Sequence, residues 1–277
     1  MARSNLVIRF ATALAAVPLL VLLIFWGPVW GFALLLFLAT ALMASEFFAM
    51  THPDDRVAQA IAVAVTVGTG VVFYTFSTDA RVLVLLAITV PIVGMLVPLW
   101  RLGEVHTAAL RALAGVAGPF YIGVLFATLG LMRRDLGSLG PGHIVLTLTI
   151  AWFGDTCGYF FGRYFGKRQL YALVSPNKTQ EGLVGVILGA ILAGLLAHFW
   201  YLPELPLGHA LVLGAITGVL GQLGDLVESL FKRATGIKDS GRIVPGHGGL
   251  LDRMDAVLIV APIVYIYAVW FGVTAGP

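Results

Sequence analysis

Apolar stretches of about 20 residues recur along this chain, separated by short polar breaks, and that length is what a helix needs to cross a hydrocarbon core about 30 Å thick. Nine such segments can be placed, running approximately Leu6 to Trp26, Val29 to Met50, Val57 to Phe76, Ala80 to Leu99, Ala108 to Met132, Gly142 to Gly162, Leu183 to Leu202, Leu207 to Phe231 and Met254 to Val273. With 59% hydrophobic and only 11% charged residues, the 277-residue chain has more apolar surface than one water-soluble core could hide. The expectation is an all-α, polytopic integral membrane protein with about nine transmembrane helices.

The first segment is longer than a signal-peptide core, lacks a small-x-small cleavage site and runs straight into Gly27-Pro28 and a second span, so it reads as a retained helix. Nine spans place the termini on opposite sides. One side then receives Arg3, Arg9, Arg56, Arg101, Arg111, Arg163, Lys167, Arg168, Lys178, Lys232, Arg233, Lys238, Arg242 and Arg253, and the other only Arg81, Arg133 and Arg134. This asymmetry predicts a cytoplasmic N-terminus and an external C-terminus. Basic residues confined to short loops beside spans suit anionic lipid headgroups and cytosolic anions, not nucleic acid. The single Cys157 has no partner, which leaves neither a disulfide nor a cysteine-based metal site.

No internal repeat divides the chain, and residues 1–277 read as one transmembrane domain with scaffold helices over 1–135 and a catalytic half over 136–277. In the first half the clearest intramembrane charge is Glu46, for which a partnered structural role is expected, while Gly115, Gly118 and Gly123 suit close helix packing.

The second half is richer in charge. Asp155 lies inside an otherwise apolar span, where a bare carboxylate costs several kcal/mol unless it is solvated, bound to a cation or paired, for instance with Arg163. Gly158, Gly162, Gly166 and Lys167 do not form a P-loop, which needs four residues between its glycines and a Ser or Thr after the Lys. The segment SPNKTQEG, Ser175 to Gly182, leads a hydroxyl- and ammonium-bearing loop into a helix N-terminus, a natural phosphate seat and equally an ordinary polar connector.

In the eighth segment Gly214, Gly218, Gly221 and Gly224 give a small-residue face, followed by Asp225, Glu228, Ser229 and Lys232 along one helical stripe. From Ser229 to Asp255 the chain then carries nine ionisable side chains. Asp252 and Asp255, three residues apart at the start of the last span and facing Asp225 from a neighbouring helix, are hard oxygen ligands of the kind Mg²⁺ takes together with water and phosphate oxygens. Lys232, Arg233, Lys238 and Arg242 would hold phosphate charge, and the glycines around His247, Gly248 and Gly249 would let backbone N–H groups approach an anion. These residues alone point to metal-assisted phosphoryl or nucleotidyl transfer at a membrane surface; a salt-bridged loop is the bland alternative.

From Ser229 through Lys232-Arg233, Lys238-Asp239, His247-Gly248-Gly249 and Asp252-Arg253 to Asp255, the sequence resembles the phosphatidate cytidylyltransferases, or CDP-diacylglycerol synthases. Asp155, the SPNKT run and Gly182 match upstream in the same order, so the resemblance covers about the second half of the chain. Val244 and Gln180 depart from the family pattern at uncharged positions. The resemblance implies transfer of CMP from CTP to phosphatidate, giving CDP-diacylglycerol and pyrophosphate, in a multi-pass protein of the bacterial inner membrane whose site faces the cytoplasm. It implies Mg²⁺, with room for a second cation, on Asp225, Asp252 and Asp255. Asp239 would assist, and Ser229 and Lys232 would orient and neutralise phosphate. Asp155, Ser175, Lys178, Thr179, Arg233, Lys238, His247, Gly248 and Gly249 would line the substrates. The glycine-faced helices are compatible with a homodimer. Competing expectations are a CTP-dependent transferase for another membrane lipid and an ion-coupled transporter using Asp155, Asp225 and Glu228.

Overall fold

In lipid every backbone polar group must be satisfied within the chain, so apolar segments of this length become helices. The computed structural model, which describes residues 17–241 and 248–272, is almost wholly helical over them. Helical residues 17–25, here α1, precede α2 (Val29–Thr51), α3 (Arg56–Thr75), α4 (Ala80–Trp100), α5 (Val105–Gly118), α6 (Leu125–Asp135), α7 (Gly140–Phe165), α8 (Gln180–Leu196), α9 (Leu207–Ala234) and α10 (Leu251–Trp270). Eight helices among the described residues are long and apolar enough to span a membrane. They correspond to the second through ninth segments read from the sequence; most of the first lies outside the described residues.

Local chemistry explains where the helices start and bend. Asp55 caps α3 by accepting from the Val57 and Ala58 N–H groups at 3.1 and 3.0 Å. Asp79 caps α4 through Arg81 N at 2.9 Å. Pro119 has no N–H to donate, and the helical ladder widens into one π-turn, Pro119–Val124, between α5 and α6. Among the described residues the one sheet is a small antiparallel hairpin, β1 (Gln169–Tyr171) with β2 (Ser175–Thr179), which pairs Gln169 with Thr179 and Tyr171 with Ser175. The SPNKT segment read as a loop is therefore strand β2.

The chain forms two compact units. One comprises Met1–Gly130 with Ile237–Asp252 and the other Leu131–Gly236 with Arg253–Pro277. In the first, helices meet through glycines. A Cβ on Gly94 would come within 2.7 Å of the Gly115 carbonyl carbon, and one on Gly123 within 2.5 Å of Thr66 O. Those contacts are backbone against backbone, the closest packing helices can adopt in lipid. Arg111, buried among them, donates to the carbonyls of Arg101 (3.0 Å), Leu102 and Glu104 (3.2 Å), closing the end of α4.

In the second unit α8 packs between α7 and α9, and glycines again set the spacing. Gly158 on α7 lies against Val186, Gly189 on α8 against the Phe153 carbonyl, and Gly214 and Gly218 on α9 against the α8 backbone at Ile191 and Ile187. The stripe then turns to α10, where a Cβ on Gly224 would stand 2.6 Å from Ile259 Cγ1 and 3.0 Å from Asp255 O. That approach brings the acids of α9 and α10 together.

Candidate active site

Asp225 and Glu228 are three residues apart on α9, so they share a helical face. The close approach at Gly224 sets Asp255 of α10 against that face. Ligand oxygens of Asp225, Glu228 and Asp255 all lie within 4.8 Å of one another, with Glu228 and Asp255 buried and Asp225 half-buried. Like charges this close are held only with compensation. Lys178 of β2 pairs with Asp225, Lys232 pairs with Glu228 one turn along α9, and Ser229 Oγ donates to Asp225 Oδ1 at 3.4 Å. Asp255 Oδ1 accepts from Ala256 N at 2.8 Å.

An open cavity of about 680 Å³ lies beside Asp225, walled by Asp155, Tyr159 and Arg163 of α7, Ser175, Asn177, Lys178 and Thr179 of β2, and Gln222 of α9. The hairpin reaches this wall because Arg233 of α9 donates from Nε to the Val174 carbonyl at 3.2 Å. Thr179 caps α8, accepting from Gly182 N at 3.0 Å, which leaves its O–H proton to donate. Arg163 does not neutralise Asp155 by a direct pair: it donates to Tyr159 OH at 2.9 Å, while the charges that act on Asp155 are Asp225, Lys178 and Arg253. A second cavity, about 390 Å³, opens between the opposite ends of α9 and α10. Its walls are apolar and aromatic apart from His209, whose Nδ1 is 2.8 Å from Tyr267 OH, and they suit hydrocarbon rather than phosphate.

The three acids fit a hard divalent cation by donor type and spacing. Oxygens on opposite sides of a cation bound at about 2.0–2.1 Å stand about 4.2 Å apart, so a spread of at most 4.8 Å needs little adjustment. Glu228 is absent from the ligand set read from the sequence, Asp225, Asp252 and Asp255; its three-residue spacing from Asp225 on one helical face is the signal that could have found it.

The other unit holds the rest of the expected site residues. Asp252 Oδ2 accepts from the backbone N–H groups of Ser240 and Gly249, each at 3.1 Å. Gly248 adopts φ +87°, open to glycine, and Lys238 and Asp239 are exposed. The N–H of Gly249 expected to approach a substrate anion is thus committed to the protein's own carboxylate. Arg242 and His247 lie outside the described residues.

The model of the cytidylyltransferase family matches residues 7–271. The chain belongs to the cytidylyltransferase family. This cytidylyltransferase-family chain is also similar to proteins named phosphatidate cytidylyltransferase. It is 42% identical over 146 residues to that of Staphylococcus saprophyticus, 53% of this chain and 55% of the relative. It is 41% identical over 152 residues to that of Bacillus subtilis, covering 54% and 56%, and 40% identical over 148 residues to that of Staphylococcus aureus, covering 53% and 55%. The aligned stretch thus spans about half the length of each relative. Family membership and eight candidate spans make this a multi-pass membrane protein of a nucleotidyl-transferring family.

Proposed function

We propose that this chain is a phosphatidate cytidylyltransferase, transferring CMP from CTP to phosphatidate and releasing pyrophosphate, with its site at the cytoplasmic face of a bacterial inner membrane. The observation that carries the reading is the meeting of three acids, Asp225, Glu228 and Asp255, beside a polar cavity walled by Lys178 and the hydroxyls of Ser175 and Thr179. The family and the named relatives support the reaction class, and the 14-to-3 division of basic residues supports the orientation.

A phosphatidate phosphate oxygen is already anionic, so its attack on the α-phosphorus of CTP needs no strong general base. The obstacle is bringing two polyanions together and stabilising the departing pyrophosphate. Lys178, Ser175 and Thr179 bind and orient a phosphate in the cavity, and Lys232 balances Glu228 while Ser229 orients Asp225. Asp225, Glu228 and Asp255 would hold Mg²⁺, which supplies charge neutralisation on the phosphates when bound. Asp252 acts by fixing the loop before α10, in which Lys238 and Asp239 supply charge, and Arg233 holds the hairpin that carries Lys178. Acyl chains reach the site sideways from the bilayer, whereas CTP arrives from water.

Purified detergent-solubilised protein is incubated with phosphatidate, Mg²⁺ and CTP labelled at either the α- or the γ-phosphorus, beside the Asp225→Asn variant. The expected result is α-label in the lipid fraction with the parent and none with the variant. γ-Label in the lipid would make the chain a CTP-dependent lipid kinase instead. No transfer to lipid from folded parent protein would refute the reading.

A further inference from the structure

The loop between α9 and α10 carries Lys238 and Asp239, and its two described flanks converge on one side chain from the scaffold half. Glu46, on α2 and only 4% exposed, accepts from Leu250 N through Oε1 at 3.0 Å and from Leu251 N through Oε2 at 2.8 Å. Ser240, ten residues earlier and on the other flank, donates its hydroxyl to Oε2 at 3.5 Å. The same Ser240 gives its backbone N–H to Asp252 Oδ2 at 3.1 Å, the oxygen that also receives Gly249 N. The flanks are thus closed by two carboxylates that share Ser240.

Glycine makes room for this clasp. A Cβ on Gly241 would overlap Glu46 Oε1, and a Cβ on Gly249 would overlap Ser240 Oγ and lie 2.8 Å from Glu46 Oε2. A carboxylate within a membrane span costs several kcal/mol, and an apolar residue would fill the same space without that cost. Both oxygens of Glu46 are used as acceptors, which a carboxylate can do and an amide cannot: Gln would turn an NH₂ group toward a backbone N–H.

We propose that Glu46 is a positioning residue for the transfer reaction. Holding residues 240 and 250–251 from α2, it fixes the frame in which Lys238, Asp239 and Asp252 are presented; this rests on reading that loop as part of the nucleotidyl-transfer site. Glu46 itself touches no substrate.

The test uses the full-length protein in detergent, as parent, Glu46→Gln and Glu46→Ala. Two readouts are taken on the fraction that remains folded by gel filtration. Trypsin cleavage within the loop, at Lys238, should accelerate on the order of 10-fold in the Gln variant and more in Ala. kcat should fall by about 10- to 100-fold, the range for losing hydrogen bonds to a buried charge, with KM for CTP changed much less and Gln retaining more activity than Ala. A purely structural Glu46 would lower the folded fraction and leave both readouts unchanged per folded molecule, and that result overturns the proposal. If the Ala variant does not fold, the Gln variant alone decides. Unchanged loop cleavage beside normal label transfer by the parent overturns the clasp while leaving the proposed function intact; absence of transfer by the parent refutes that function instead.

Discussion

Replacing Asp255 by Asn should have opposite effects on stability with and without a divalent cation. At an effective dielectric of about 20, two unit charges at the 4.8 Å limit repel by about 3.5 kcal/mol. Asp255 takes part in two of the three such pairs, so neutralising it relieves up to about 7 kcal/mol. Most of that relief is cancelled, because Lys178 and Lys232 already offset the charges of Asp225 and Glu228 that Asp255 meets. A net gain on the order of 1 kcal/mol should remain in chelator-treated protein, about 2–4 °C in melting temperature for a unit of this size. Mg²⁺ at about one hundred times its dissociation constant stabilises a protein that binds it by about 2.7 kcal/mol, and the variant, with two carboxylates instead of three, loses most of this. The order of melting temperatures should therefore invert on adding Mg²⁺: variant above parent in EDTA, parent above variant at saturating cation. Thermal unfolding in detergent, followed by intrinsic tryptophan fluorescence, reads both conditions on the same preparations. Equal stabilisation of both proteins by Mg²⁺ would show that the cation binds elsewhere, and a parent more stable in EDTA would show that the acids are not mutually repulsive.

Three other outcomes follow from named contacts. Gly224→Ala should push α9 from α10 at Ile259 and the Asp255 carbonyl, costing about 1–3 kcal/mol of stability and weakening Mg²⁺ binding in a cation titration; unchanged affinity would separate the glycine contact from the acid cluster. Lys178→Met should tighten Mg²⁺ binding and weaken CTP saturation, since the ammonium balances Asp225 and faces the cavity, and a change of the same sign in both would refute that dual role. His52, in the α2–α3 turn, is 3% exposed, and burial beside Arg111 lowers its pKa to about 4. The folded state keeps it neutral while the unfolded chain protonates near pH 6.5, so stability should be level above pH 6.5, fall towards pH 4 by at most about 1.4 kcal/mol per pH unit, and level again below. His52→Gln should flatten that slope in melts across the window; an unaltered slope assigns it to other groups.

The helices were legible because hydropathy is a property of each segment alone: α2 to α4, α7, α9 and α10 begin and end within a few residues of the expected bounds, while α8 stops at Leu196 and a π-turn, Ala197–Tyr201, completes the expected segment. Pro119 marks where the π-turn between α5 and α6 begins, and Gly123 within it lies against the α3 backbone at Thr66, a contact that no single segment displays. The hairpin was missed because three residues paired with five give too short an alternation to read, and Pro176 argues against a strand. Glu46 showed that a partner was needed and nothing more, since its backbone donors lie 204 and 205 residues away in sequence. The glycines at 248 and 249 read as letting N–H groups approach a substrate anion; composition could not say that the Gly249 N–H would meet the chain's own Asp252.

Carboxylate surroundings divide five buried or half-buried acids among the described residues into two kinds. Glu46 and Asp252 are met by backbone N–H groups, which are neutral, fixed and strongly directional, so these acids set geometry and have little reason to exchange partners. Asp225 and Glu228 are met by lysine ammonium groups on rotatable stems and by one another, and Asp255 completes their cluster. A phosphate-bearing substrate can draw a lysine away, and a divalent cation can replace its charge, whereas neither can replace an amide held in a helix start. Binding should therefore rearrange the partners of Asp225 and Glu228 and leave those of Glu46 and Asp252 in place. The sequence contains both kinds as Asp or Glu near a helix end, and only the donors around each one separate structural acids from those available for chemistry.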